Sequence, residues 1–288
     1  MNLLNPSIVD YNKRFISFIL KERYRFGGSK PWSSGYLEAR DEFIERTINS
    51  RLLLKRFRNN LQLPNKFGHS FDERVVEYPW IISNISGKNK TILDAGSTMN
   101  HLFLLQNRIL NKHSWLIATL DVENNFFNDL GVSYLYDGYA DLRNLCLKEN
   151  TFDYVISCSV LEHIGMDNTN IYTNDRKYAE KSTNDYLKVI DEFKRVLSKG
   201  GECFITVPYG KYQNFGWFQQ FDREMIKKVI DKFNYKYKEQ FYKYSSEGWK
   251  SVSKDECDDC EYINPGVSNK IRQAAAGAVA CLQFIKNE

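Results

Sequence analysis

Glycine is scarce where a nucleotide-binding turn would use it. The chain has 16 glycines in 288 residues, and only one, Gly96, falls in the turn after the first apolar run, TILDAGSTMN (91–100). A dinucleotide site wants three glycines there, one of them letting the backbone close onto a pyrophosphate. Thr98 and Asn100 occupy the later positions, so NAD and FAD fit poorly. The phosphate loop ending in Gly-Lys-Ser/Thr is also absent. Long apolar runs are missing: AAAGAVACLQFI (274–285) falls short of the roughly 20 residues that span a bilayer. The start, MNLLNPSIVDYNKRF, lacks the basic and apolar blocks of a signal peptide. Six scattered cysteines predict reduced thiols in a cytoplasm. Only Cys257 and Cys260 are close together. Structural zinc needs four ligands, and His69, His101 and His113 form no matching pattern, so this pair is read as part of a surface loop.

What is present suits a folded, soluble protein: 42% hydrophobic and 26% charged residues exclude disorder. Charge is uneven. Residues 1–60 carry 12 Lys and Arg against 6 Asp and Glu, and the remainder 28 against 30. This basic part can attract an anionic substrate, or it can be a solvated helix surface. It reads as helices broken at GGSKPWSSG (27–35), with Leu37, Phe43, Ile44, Ile48 and Leu52 at helical spacing in the second. FDERVVEYPWIISNI reads as a further helix or turn, with a start or kink at Pro79.

From residue 91 short apolar runs alternate with helical patterns. TILDA, SWLIATLD, VSYLY, FDYVISCS, ECFITVP, YKYKEQFYKY and Ala278–Ile285 read as strands. HLFLLQNRIL (101–110), a helix carrying Tyr186, Val189, Ile190, Phe193, Val196 and Leu197 on one face, and DREMIKKVIDKF (222–233) read as helices. The second is expected to stop at SKGG, with Gly200 or Gly201 as a left-handed cap. The pattern predicts an α/β, doubly wound, mostly parallel sheet, with residues 1–70 as a helical cap on 71–288. Ligands of such sheets lie beyond the carboxyl ends of the strands.

Three carboxylates fall there. Asp121 can accept hydrogen bonds from both hydroxyls of a ribose. Asp141 can accept from an amino group such as adenine N6, while the Leu142 amide reads a ring nitrogen. Asp94 can hold its own turn or accept from an ammonium. One acid at a strand end means little, because Asp favours turns; three on consecutive strands point to an adenosine site.

ILDAGSTMN, IATLD, ADLRNLCLKENTFDYVISCSVLEHI and RVLSKGGECFITVPYG make residues 70–285 resemble the class I S-adenosylmethionine-dependent methyltransferases, in their small-molecule branch. The resemblance implies a Rossmann-like sheet of seven strands with the last antiparallel. It implies that Gly96 and its neighbours, Ser97 among them, cup the methionine end, that Asp121 holds the ribose, and that Asp141 and Leu142 read adenine. Ser159 would then lie near the transferable methyl. Methyl transfer to a hydroxyl needs positioning and a base. His163 is the candidate base, with Glu162 to orient it or touch the cofactor. Some relatives bind a metal through such a Glu-His pair, but Ser159 stands where a further acid would be expected. Arg74, Glu77, Tyr78, Tyr36 and Arg40 are candidate covers for the cofactor. In VPYGKYQNFGWFQQFD, Tyr209, Trp217, Gln219 and Gln220 can pack on a sugar ring and bond its hydroxyls, or simply pack as a lid.

The expected acceptor is therefore a small polar, possibly anionic molecule, such as a sugar or nucleotide-linked sugar. The mild net charge and the missing Asn/Asp-Pro-Pro-Tyr-like signature argue against nucleic acid. The altered glycine turn leaves a non-catalytic scaffold of the same fold as the rival.

Overall fold

The computed structural model describes residues 6–123, 126–263 and 271–287, with side chains from residue 15 onward. The strands are β1 (Thr91–Ala95), β2 (Ser114–Ala118), β3 (Val132–Leu135), β4 (Phe152–Cys158), β5 (Leu197–Pro208), β6 (Gln213–Asn214), β7 (Gln219–Gln220), β8 (Lys236–Ser245), β9 (Gly248–Val252) and β10 (Ala278–Ile285). The helices are α1 (Pro6–Phe26), α2 (Tyr36–Asn49), α3 (Arg51–Arg58), α4 (Arg74–Asn84), α5 (Leu102–Leu105), α6 (Thr169–Tyr172), α7 (Tyr186–Val196) and α8 (Arg223–Phe233).

Eight strands form the main sheet in the order β3-β2-β1-β4-β5-β10-β8-β9. The first five run parallel, and β10 is antiparallel to both its neighbours. The fold class is as expected, with one strand more than the seven anticipated. The addition is β9, which turns back on β8 through Gly248 (φ +78°) and pairs antiparallel with it. A Cβ at Gly248 would sit 2.4 Å from the Phe67 carbonyl oxygen. The edge hairpin thereby approaches the N-terminal segment closely enough for Trp249 N to donate to that same oxygen.

Successive strand residues point to opposite faces, and both faces are covered. Ile92, Ile156 and Phe204 join one core cluster with Ile44, Ile48, Phe57, Val76 and Ile81 of α2, α3 and α4. Leu93, Val155 and Ile205 join the other with Val189, Ile190, Phe193, Ile226 and Val229 of α7 and α8. Only part of the expected stripe is inside: Ile44 and Ile48 of α2 are buried, whereas Leu37 of α2 and Leu52 of α3 are exposed. The stripe breaks because Ser50 ends α2 and its hydroxyl caps α3, accepting from Leu53 N at 3.3 Å.

Three local expectations are corrected. The helix over 101–110 shrinks to α5 and a short 3₁₀ turn at Leu110–Lys112. Asn107 sits between them, its side-chain oxygen accepting from Ile109 N at 2.9 Å, a local bond that competes with helix continuation. The α7 helix ends at Val196, not at the glycines, because Leu197 pairs with Phe152 and starts β5. Gly200, at φ +70°, instead serves an irregularity of β5, where Leu197 and Glu202 face Phe152 and Tyr154. Finally, α4 does not start at Pro79: it begins at Arg74 and contains the proline.

Candidate functional site

Strand order reverses between β1 and β4, and beyond their carboxyl ends lies a cavity of about 560 Å³. Its wall draws on the ends of four strands: Gly96 after β1, Asp121 after β2, Asp141 and Leu142 after β3, Val160 and His163 after β4. Six residues separated by up to 67 positions of sequence thus meet in one place. The volume lies within the usual 300–1,000 Å³ of small-molecule sites.

Gly96 could be nothing else. Its φ is +116°, and a Cβ there would lie 2.4 Å from Val160 Cγ2. Asp94 is fully buried and holds the turn: its carboxylate accepts from Met99 N at 2.8 Å and from Thr98 Oγ1 at 3.4 Å. Burial pushes its pKa up to about 7 against the pull of the Met99 bond. The two residues in place of glycine point away from the cavity wall. Asn100 donates to Glu123 at 2.6 Å and accepts from the Tyr134 hydroxyl at 3.1 Å. The Thr98 carbonyl accepts from the Tyr78 hydroxyl at 2.7 Å. Ser97 adopts φ +60°, and its buried hydroxyl has no partner among the described residues.

Asp121 is exposed to the cavity and caps the Val122 amide at 2.8 Å. Asp141 is gripped by Arg143, whose Nε and Nη2 each donate at 2.9 Å. Burial raises the Asp141 pKa, but the Arg143 bonds outweigh it and hold the carboxyl below its ordinary value. Leu142 N meets no acceptor among the described residues. Arg143 also reaches Glu180 at 2.7 Å and Asp185 at 3.2 Å. It therefore ties the turn after β3 to the segment 164–185, which contributes Met166, Tyr172 and Tyr178 to the cavity. Sequence reasoning missed both Arg143 and this segment. It is polar and aperiodic, and its unusual length between a strand and a helix was the available signal.

His163 lies on the 3₁₀ turn Leu161–His163, half-buried. Its Nδ1 is 3.1 Å from the Trp217 carbonyl oxygen. A carbonyl only accepts, so Nδ1 carries the proton and Nε2 keeps a lone pair. Burial, reinforced by the Arg74 charge, lowers its pKa despite the Trp217 bond, so the ring is neutral at pH 7. Glu162 is buried, and its Oε2 has no partner among the described residues. Desolvation pushes its pKa well up, and Glu77 adds to this. Ser159 is outside the cavity wall, its hydroxyl donating to Glu77 Oε1 at 2.6 Å. Thr206 donates to the same oxygen at 2.7 Å, and Arg74 pairs with the other. Arg74, Glu77 and Ser159 thus form a buried knot. Tyr36 and Arg40 are likewise spent on Asp72, Tyr36 accepting from its amide and Arg40 pairing with its carboxylate at 2.8 Å.

None of the four aromatic and amide candidates is in the cavity wall. Tyr209 is buried and donates to Asp258 at 2.5 Å. Gln219 and Gln220 are buried, donating to backbone carbonyls of Thr183 at 2.8 Å and Lys211 at 2.7 Å. Trp217, 41% exposed, stacks near His163 with ring centroids 5.1 Å apart. Cys257 and Cys260 are not on a surface loop side: both are buried within the second core cluster. Among the described residues no three His, Cys, Asp or Glu groups converge on a metal position, and no helix is long and apolar enough to cross a membrane.

Residues 123–205 match the methyltransferase domain family, a stretch that holds Asp141, Leu142, Ser159, Glu162 and His163. Residues 123–205 thus carry the sequence pattern of a methyltransferase domain. The unusual turn at 96–100 lies outside the matched stretch. No curated protein matches the sequence. Among solved structures, the chain is similar to the Burkholderia thailandensis 1,6-didemethyltoxoflavin-N1-methyltransferase, at 13% identity over 70% of this chain and 73% of that one, TM-score 0.43. It is also similar to the YcgJ protein of Bacillus subtilis, at 13% identity over 74% and 98%, TM-score 0.47. A possible histamine N-methyltransferase from Thermotoga maritima is similar at 13% identity over 85% and 99%, TM-score 0.39.

Proposed function

We propose that this methyltransferase acts on a hydroxyl group of a small polar acceptor, such as a sugar or nucleotide-linked sugar, with His163 as general base. The observation that carries the reading is the His163 ring itself. It lines the cavity, stays neutral, and holds its proton on Nδ1, so Nε2 is the atom able to take a proton. A hydroxyl must lose its proton as it attacks, which is what such a base serves.

S-adenosylmethionine, when bound, supplies an electrophilic methyl on a sulfonium. The residues of the cavity fit it. Asp121 would accept from the ribose hydroxyls, Asp141 from the adenine amino group, and the Leu142 amide would donate to a ring nitrogen. Gly96 leaves room that any side chain would fill, and the unpartnered Ser97 hydroxyl lies beside it. This cofactor carries no phosphate, so side chains at positions 98 and 100 are compatible, all the more as both turn into the protein. That favours an enzyme over a scaffold of the same fold.

We read residues 71–288 as the catalytic unit and 1–70 as its helical cap, in a cytoplasmic protein whose six cysteines are free thiols. Six of the twelve basic residues in 1–60 are engaged locally. Lys21, Arg25 and Arg46 pair with Glu42, Arg40 with Asp41 and Asp72, and Arg56 and Arg58 donate to carbonyls.

The test is transfer of an isotopically labelled methyl to a panel of sugars and nucleotide sugars, read by mass spectrometry. A labelled O-methyl product is expected, with turnover of His163→Gln lower by about a hundredfold or more. Labelling only on nitrogen or carbon, or full turnover in the variant, overturns the reading.

A further inference from the structure

We infer that the hairpin formed by β6 and β7 is the positioning element for His163, and that Gln219 and Gln220 are the clamps that hold it. The inference rests on His163 being the base.

Gln213 pairs with Gln220 and Asn214 with Gln219, leaving Phe215–Phe218 as the tip. That tip touches the chain after β4 at several points. The Trp217 carbonyl takes the Nδ1 proton of His163. The Trp217 and Phe218 rings stand 5.1 and 5.8 Å from the imidazole. The Gly216 carbonyl accepts from Asp167 N at 3.0 Å. A ring held by one acceptor and two aromatic faces has one tautomer and one orientation. If the tip moves, Nδ1 loses its acceptor, the proton can sit on either nitrogen, and Nε2 is no longer reserved as the base.

The tip cannot hold itself, because its strands are two residues long. Gln213 Oε1 accepts from Tyr262 N at 3.0 Å and the Phe215 and Phe218 rings pack on Tyr262, but the donors that tie the hairpin to both flanks are those of the two glutamines. Gln220 Nε2 donates to both the Lys211 and Cys260 carbonyls, at 2.7 and 3.0 Å, and Gln219 Nε2 donates to the Thr183 carbonyl at 2.8 Å. Two carbonyls facing one amide group fix which end is nitrogen, since an oxygen there would be repelled. Both side chains are fully buried, and neither Oε1 has a partner among the described residues. They lie outside the cavity wall, so their role runs through the hairpin. Thr183 belongs to the segment that Arg143 ties down, whereas Lys211 follows β5 and Cys260 follows β9, the two joined by Lys211 N donating to the Cys260 carbonyl at 3.0 Å. The hairpin is therefore strung between the two sides of the site.

Imidazole ¹⁵N–¹H correlation spectra read the tautomer directly and need no acceptor. The chain has four histidines, so His163 is assignable from a His163→Gln spectrum. With S-adenosylhomocysteine bound, the wild type is expected to show His163 protonated on Nδ1. Gln220→Met, which keeps volume but removes both donors, should show loss of that single tautomer, with S-adenosylhomocysteine affinity unchanged within about twofold. Trp217→Phe, which keeps the carbonyl, should retain it. A wild-type His163 protonated on Nε2 overturns the inference whether or not the glutamine variant folds, and so does a Gln220→Met spectrum identical to wild type. Unchanged turnover in His163→Gln would remove the base and leave the tautomer result standing, so the two readings fail separately.

Discussion

Gly96→Ala should damage the protein in two separable ways. The first is the backbone. A φ of +116° is a glycine conformation, and forcing alanine into it costs about 1–3 kcal/mol. The second is crowding. The new Cβ would lie 2.4 Å from Val160 Cγ2 and 2.9 Å from Cγ1, where carbon contacts normally stand at about 3.5–4.0 Å. Relieving that overlap costs a further ~1–3 kcal/mol. The sum is about 4 kcal/mol, against a total stability of roughly 5–15 kcal/mol. Val160→Ala removes both offending carbons, so the double variant should recover the crowding share, about 2 kcal/mol, and leave the backbone share. Urea unfolding of the four proteins gives the cycle. Because Gly96 and Val160 both line the cavity, S-adenosylhomocysteine affinity should fall with Gly96→Ala and partly return in the double variant. A loss under about 0.5 kcal/mol in the single variant, or no recovery in the double, refutes the reasoning.

Glu162 should make stability depend on pH. Burial raises its folded pKa, so the folded chain keeps the proton that the unfolded chain releases above about pH 4.5. This contribution is complete below that pH and is lost as pH rises towards the folded pKa. Glu162→Gln stays neutral throughout and should therefore gain on wild type by about 3 °C in Tm at pH 8 and nothing at pH 4, read by calorimetry. Arg143→Met cuts the link between Asp141 and Glu180, two charge-assisted contacts. Faster hydrogen exchange over 164–185 and roughly tenfold weaker S-adenosylhomocysteine binding are expected; unchanged exchange there contradicts the latch. Turnover should fall at low pH as His163 gains its proton, with the midpoint below the ordinary 6.5 because burial lowers its pKa; a midpoint above 7 would mean another group is titrating.

The sheet was legible because its strands are short runs of apolar residues with helical stripes between them. Even β10 followed from Ala278–Ile285, although its periodicity fits helix or strand alike. Asp121 and Asp141 were legible for a related reason: each lies a few residues beyond its strand, three after β2 and six after β3, and so falls at the carboxyl end of the sheet. What the sequence hid is interaction between distant positions. Nothing near Ser159 announces that Glu77 takes its hydroxyl, and nothing near Glu77 announces Thr206 on the same carboxylate, although Arg74 is its i,i+3 neighbour on α4. Gln219 and Gln220 read as sugar-binding amides, but their donors end on backbone carbonyls of Thr183, Lys211 and Cys260. The helix expected over 101–110 failed at Asn107, where one side-chain bond competed with an apolar pattern that otherwise favoured helix.

A calorimetric titration of S-adenosylhomocysteine into the wild type and Asp121→Ala tests the account at its centre. Saturable binding at one site per chain is expected, weakened about tenfold to a hundredfold in the variant by loss of charged acceptors for the ribose hydroxyls. Absence of binding to the wild type at millimolar ligand, or equal affinity in the two proteins, would contradict it.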